Sequence, residues 1–253
     1  MPSTARTALQ MAKDPEASFG GIGAVLETDP VLTAQLLKLA NSPMYGGSRK
    51  ISGIRQALVR VGLRGFCQLL MLASMSKMFR VDGDPRVTTN LQQHATATAI
   101  AAEAVATLVH VDRDAAFTAG VLHDIGIPMA YGLMAACRRY LPREVAASPK
   151  RQAEAAAALH QELGAYVARH WGLPSETQAA IGHHHAPASA PPRDQALAWV
   201  VAAAGDVVHR ARLPGVEDGE ECGMDAVMTL GLTDAQVDDL AAKTRHRLGL
   251  APR

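Results

Sequence analysis

Aromatic residues make up only 4% of the chain, and no run of alternating β-branched residues is bounded by hairpin dipeptides. A sheet of any size would lack both its preferred side chains and its punctuation. Cysteine is scarce as well: Cys67, Cys137 and Cys222 lie far apart with no paired spacing. That argues against a disulfide framework and a thiolate zinc knuckle, suits a reducing compartment, and leaves the three as expected core fillers. Neither sign of charge dominates, since 25 basic and 24 acidic residues give a formal net charge of +1, so no global field draws the chain to nucleic acid or to an anionic membrane. Long apolar runs are missing too. The N-terminus, MPSTARTALQ, has no signal-peptide core, and no segment offers ~18 uninterrupted apolar residues for a bilayer. The expectation is a cytoplasmic, all-α protein, and 253 residues with 48% hydrophobic content suffice for one large core or two small ones.

What is present is helical patterning. Thr28-Asp29-Pro30 predicts a helix start, with Asp29 as cap and Pro30 in the first turn, and Asn41-Ser42-Pro43 an end. Ile51 to Val61 repeats the helical spacing, Gly62 and Gly65 loosen the chain, and an apolar, methionine-bearing helix resumes over Leu69 to Phe79. Val81 to Pro85 breaks the composition. Beyond it, helices are predicted over Val87–His110, Asp114–Asp124, Lys150–Trp171, Ser175–His185 and Gln195–Arg212, with Gly126 and Pro128 read as a stop and Trp171-Gly172-Leu173-Pro174 as a turn. Trp171 and Trp199 are expected as core anchors. After Pro214 comes an acidic, glycine-spaced stretch (Glu217, Asp218, Glu220, Glu221) and a last amphipathic helix over Thr233–Leu248. The organisation expected is therefore 1–82, 83–212 and a terminal 213–253.

Seven residues stand out against this alanine-rich background: His94, the pair His123-Asp124, His160, the pair His184-His185, and Asp206. Imidazoles and carboxylates bind divalent iron, manganese and zinc, and each of these lies in or at the end of a helix-like apolar stretch. A single histidine in a helix is more often solvated or hydrogen-bonded than coordinated. It is the joint occurrence with two carboxylates that points to one metal-centred pocket. His123 and Asp124 converge best near a helix end, because neighbours on a continuous helix point about 100° apart. The plainer readings stay open: Asp206 as a cap or a partner of His209 or Arg210, Asp124 as a partner of His123 alone, and a pocket whose polar groups satisfy one another without a cation.

LETDPVLTAQLLKLANSPMYG followed by ISGIRQALVRVGLRGFCQLLMLA resembles the N-terminal half of the HDOD family, relatives of the HD-domain phosphohydrolases. AAFTAGVLHDIGIP, LHQELGAYVARHWGLPSETQAAIGHHHAP and VVAAAGDVVHR resemble its second half, in the family's order. The resemblance, over roughly residues 5–212, implies an N-terminal helical subdomain packed on an HD-like helical bundle, and a signalling or regulatory module serving a separate protein partner or a small nucleotide ligand. It also implies a metal set in which Asp124 bridges, His94, His123 and Asp206 complete one shell, and His160 with one or both of His184 and His185 forms the other. If the chain is an enzyme, His123 and Asp124 are the catalytic candidates.

Departures favour a non-catalytic module over a metal-dependent phosphohydrolase acting on a nucleotide or cyclic dinucleotide. Ile127 stands where the HD-GYP phosphodiesterases carry a phosphate-gripping lysine, no Gly-Tyr-Pro follows the His-His pair, and Asn90 replaces the glutamate of their three-metal sites. Arg138, Arg139 and Lys150 could compensate only if folding carried them to the pocket. Arg49, Lys50, Arg55, Arg60 and Arg64 form a local basic cluster without interleaved aromatics, read as a solvated face rather than a DNA-recognition surface, with an acidic protein partner as the intermediate case. The oligomeric state is not fixed by the sequence.

Overall fold

The computed structural model describes residues 3–12, 14, 16, 18–45, 50–75, 78–81, 85–213 and 225–251, and these contain helices and no strand. The chain is all-α and divides into two compact units, one of Met1–Met78 with Arg245–Arg253 and the other of Phe79–Thr244.

The first unit holds α1 (Ser3–Met11), α2 (Phe19–Glu27), α3 (Pro30–Ala40) and α4 (Ile54–Met75). Asp29 caps α3 as its sequence predicts, its Oδ1 accepting from the Leu32 amide at 3.0 Å. Leu26, Leu32, Leu36, Leu58, Phe66 and Leu69 are buried in one cluster. The chain leaving α3 is tied down by Asn41, whose side-chain amide donates to the carbonyls of Leu37 and Ile51 (both 2.8 Å) while its oxygen accepts from the Ile51 amide (2.9 Å). The two apolar runs expected on either side of Gly62 are the two helical arms of α4, which meet at a kink where Gly62 leaves helical geometry at φ +68°, a conformation that glycine adopts without a Cβ penalty. α4 ends at Met75, four residues before the predicted end. It is the one described helix long and apolar enough to cross a membrane by length and composition, but half of its most apolar window is buried inside the fold.

The second unit is built from α5 (Pro85–Leu108), α6 (Arg113–Leu122), α7 (Gly126–Ala136), α8 (Arg143–Ala147), α9 (Pro149–His170), α10 (Ser175–His183), α11 (Gln195–Arg210), α12 (Asp225–Thr229) and α13. α13 spans Asp234–Arg247, so its last turn falls in the first unit. α5 packs along α6 and α11, and α9 along α7 and α10. Gly172, at φ +67°, closes α9 in the predicted turn. α13 is held on α11 by Arg210, which donates to Asp234 (2.9 Å) and Asp238 (3.2 Å).

Several expectations need correction. Gly126 and Pro128 do not stop a helix; they begin α7, where Pro128 occupies the first turn and needs no amide partner. α8 was not anticipated. Cys137 is exposed and Cys67 only half-buried, so neither is a core filler, while Cys222 lies outside the described residues. Trp171 and Trp199 are half-buried rather than core anchors. The acidic stretch Glu217–Glu221 and Arg49 of the basic cluster also lie outside the described residues; of the rest, Lys50 and Arg55 are exposed and Arg60 and Arg64 half-buried.

Asn41→Ala removes three hydrogen bonds, each worth about 1 kcal/mol net. A thermal melt should show the midpoint lowered by about 6–12 °C.

Candidate metal centre

Four chain segments bring six of the seven predicted residues together. His94 comes from the middle of α5. His123 caps the C-terminal end of α6, and Asp124 follows it in the three-residue link to α7. His160 lies on the buried stripe of α9, among Ala156, Gly164 and Ala168. His184 ends α10 and His185 is next to it.

Small residues allow these segments to approach. At Gly120, three residues before His123, a Cβ would lie 2.7 Å from the Ala99 Cα on α5. At Gly126, two residues after Asp124, a Cβ would overlap the backbone carbonyl of His160. At Gly164, one turn beyond His160, it would lie 2.7 Å from the Ile181 side chain on α10. Two of the four ligand-bearing segments, those of His123-Asp124 and His160, thus carry a closely packed glycine within four residues of a candidate ligand.

The donor atoms form two groups, His94 with His123 and Asp124, and His160 with His184 and His185; within each, the atoms lie within 4.8 Å of one another. In the first, Nε2 of His94 is 3.2 Å from Nε2 of His123, and the Asp124 Oδ2 is 3.5 Å and 3.1 Å from those two nitrogens. In the second, Nε2 of His160 is 3.1 Å from that of His184 and 3.2 Å from that of His185. The other oxygen of Asp124, Oδ1, is 3.6 Å from Nε2 of both His160 and His184. One carboxylate therefore turns an oxygen to each group.

Ring orientation is fixed from behind. His123 donates from Nδ1 to the Gly120 carbonyl (2.9 Å), His160 to Ala157 (2.5 Å) and His184 to Ile181 (3.0 Å), each to the residue three positions earlier. A neutral imidazole that spends its proton at Nδ1 presents only a lone pair at Nε2. In that tautomer, assigned from these bonds, His160 and His184 point two lone pairs at each other and His123 points one at a carboxylate oxygen. Such an arrangement is repulsive until a positive charge lies among the atoms. Ligands about 2.1 Å from a cation and about 90–110° apart lie about 3.0–3.4 Å from each other, close to the separations here. The residues fit a pair of divalent cations, with five nitrogens and the two oxygens of one carboxylate as donors.

Titration follows the same logic. Burial lowers His94 to about 4, against the opposing pull of Asp124 and with help from His123 and His185. Burial, reinforced by His123, also holds His184 well below the ordinary imidazole range. For Asp124, burial alone would raise the carboxyl, but His123, His94 and His184 together bring it well below the usual value. At neutral pH His94 and His184 are therefore neutral and Asp124 is ionised, the protonation states that metals require.

Asp206 belongs to neither group. It is half-buried on α11, its Oδ2 is buried with no hydrogen-bond partner, and burial, only partly opposed by Arg210, raises it to about 7. Arg210 hydrogen-bonds Asp234 and Asp238 instead. His183 turns away to Ser189, at 2.8 Å. Sequence reasoning missed the supporting glycines and a cavity of ≈ 150 Å³ beside His184 and His185, bordered by Trp199. The small-residue stripe at four-residue intervals around His160 was a readable signal for the buried face of α9.

The HDOD domain family matches residues 1–187, well over half of the chain. The chain belongs to the HDOD family. An uncharacterized protein of Treponema pallidum (strain Nichols) is 27% identical over 218 residues, 83% of this chain, and the chain spans 42% of that relative's length. Among solved structures, a Shewanella amazonensis protein provisionally named a metal-dependent phosphohydrolase superposes with a TM-score of 0.71 at 16% identity, covering 98% of this chain and 89% of its own. A Marinobacter aquaeolei protein provisionally named for signal transduction gives 0.69 at 22% identity, covering 98% of this chain and 57% of that one. At such identities these likenesses establish the fold.

Two outcomes follow for the HDOD site. Gly126→Ala must push α9 from α7 and His160 from Asp124; metal affinity, measured by chelator competition, should fall about 10–100-fold, as when supports of metal ligands are lost. His94 keeps no proton in the fold until about pH 4, whereas in the unfolded chain it takes one at 6.5. Between those values the unfolded state binds more protons, so stability falls as pH falls. Melts of chelator-treated protein should lose about 3 kcal/mol across this window, and His94→Gln should flatten the slope.

Proposed function

We propose that this HDOD protein is a regulatory module that binds a small nucleotide through a two-cation centre and passes its liganded state to a protein partner. The observation that carries the reading is the split Asp124 carboxylate, one oxygen toward His94 and His123 and the other toward His160 and His184. His94, His123 and Asp124 would hold one cation, and Asp124 with His160, His184 and His185 the other. Bound divalent cations would supply Lewis acidity and neutralise charge on a phosphate oxygen. The chain's own part is to orient the imidazoles through backbone carbonyls and to keep the carboxylate ionised. Iron, manganese and zinc all suit these donors, since affinity order does not select among them in a cell.

A binding role is favoured over turnover because the phosphate-gripping cation is missing. Ile127 occupies its place. Lys150 lies on the same helix as His160 but ten residues earlier, about 15 Å along the axis. The Arg139 guanidinium stacks on Tyr140, 4.6 Å from its ring centre, and among the described residues no Arg or Lys borders the cavity beside the centre. The second reading, a metal-dependent phosphohydrolase, draws on the same carboxylate: two cations sharing a ligand can clamp both the attacking and the leaving oxygen of a phosphoester. The provisional name of the Shewanella relative agrees with that reading, and that of the Marinobacter relative with the first.

Elemental analysis of untagged protein should find about two divalent cations per chain, and Asp124→Ala should lose both. Retention of both by this variant would remove the bridge. Incubated with model phosphodiesters and cyclic dinucleotides across several metals, the protein should give no turnover; turnover abolished by His123→Ala would replace the regulatory reading with the hydrolytic one.

A further inference from the structure

A cavity lies beside the second imidazole group. It measures ≈ 150 Å³ and is bordered by His184, His185, Pro187, Trp199, Ala202 and Asp225, all from the second unit. Two of these are candidate metal ligands, so cavity and centre share a wall. Trp199 is half-buried, and Asp225 is exposed at the start of α12. Among the described residues the rest of the lining, apart from the two imidazoles and one carboxylate, is Trp199 with small apolar side chains, and no lysine or arginine borders it. Such a space does not anchor a phosphate.

It suits the other end of a nucleotide. A cavity of about 150 Å³ accommodates one benzene-sized ring, whereas complete drug-sized ligands occupy about 300–1,000 Å³. An indole face favours stacking by a planar heterocycle, and an ionised carboxylate at the rim accepts strongly from an amino group. We propose that this cavity binds the base of a nucleotide whose phosphate lies at the metal centre, and that the base is a single ring with an exocyclic amino group, of the cytosine type. Trp199 stacks on the ring and Asp225 accepts from the amine. This inference rests on the two-cation reading for the phosphate, but not for the base.

The test uses the full chain carrying Trp171→Phe, so that Trp199 is the only tryptophan reporting fluorescence. Zinc-loaded and chelator-treated protein are titrated with cytidine 5′-monophosphate, uridine 5′-monophosphate, cytidine and ribose 5-phosphate. Cytidine should perturb Trp199 with equal affinity in both preparations, and its monophosphate should bind more tightly only with zinc. The cytidine nucleotide should outbind the uridine nucleotide about tenfold, the worth of one hydrogen bond to a charged group. Asp225→Ala, at an exposed position, should erase that preference, and Trp199→Leu should weaken cytidine by calorimetry while Trp199→Phe restores it. Failure of cytidine to bind the zinc-loaded protein, or equal affinity for the two nucleotides, overturns the base site. If the protein takes up no zinc while cytidine still binds, the metal reading falls and the base site stands.

Discussion

The buried Asp124 carboxylate is the constraint around which the second unit is arranged. A carboxylate out of water is costly unless it is paired, and here its surroundings are imidazoles whose outer nitrogens are already committed to backbone carbonyls. The three anchored rings cannot turn to donate to it without giving up those bonds. Helix ends, glycine contacts and ring orientations all converge on an arrangement that added positive charge would relieve.

That arrangement separates scaffold from site. The first unit has its own apolar cluster and its own strut at Asn41. The second gathers its donors where α6 meets α7, on α9 and at the end of α10. His94 and His160 are supplied from within helices, which hold a ring more firmly than a loop does, while His123 and Asp124 share the three-residue link between α6 and α7. A link that short leaves Asp124 little freedom to follow a ligand, so adjustment falls to the exposed His185 and the cavity wall around Trp199.

Much of this was legible in the residues. Asp29-Pro30 marks a helix start because both act through local chemistry, and α5, α9, α10 and α11 lie close to their periodic patterns. The set His94, His123, Asp124, His160, His184 and His185 was named from composition, position and family resemblance, and the structure gathers it into two groups. Asp206 was placed with the first of them; in the fold it lies on α11, which packs along α5, and its carboxylate is not among the donor atoms of either group. α7 was missed because Gly126 and Pro128 read as punctuation. In the fold, Gly126 serves the close approach of His160, a tertiary reason with the same spelling. Cys137 and the tryptophans were misjudged for a similar cause, since their burial is set by neighbours distant in sequence.

Because Gly126 meets the His160 carbonyl with no room for a Cβ, the spacing of the two donor groups cannot drift by small steps. A lineage carrying this fold is left with an all-or-none inheritance at its centre and latitude only along the rim, where diversification among descendants would accumulate.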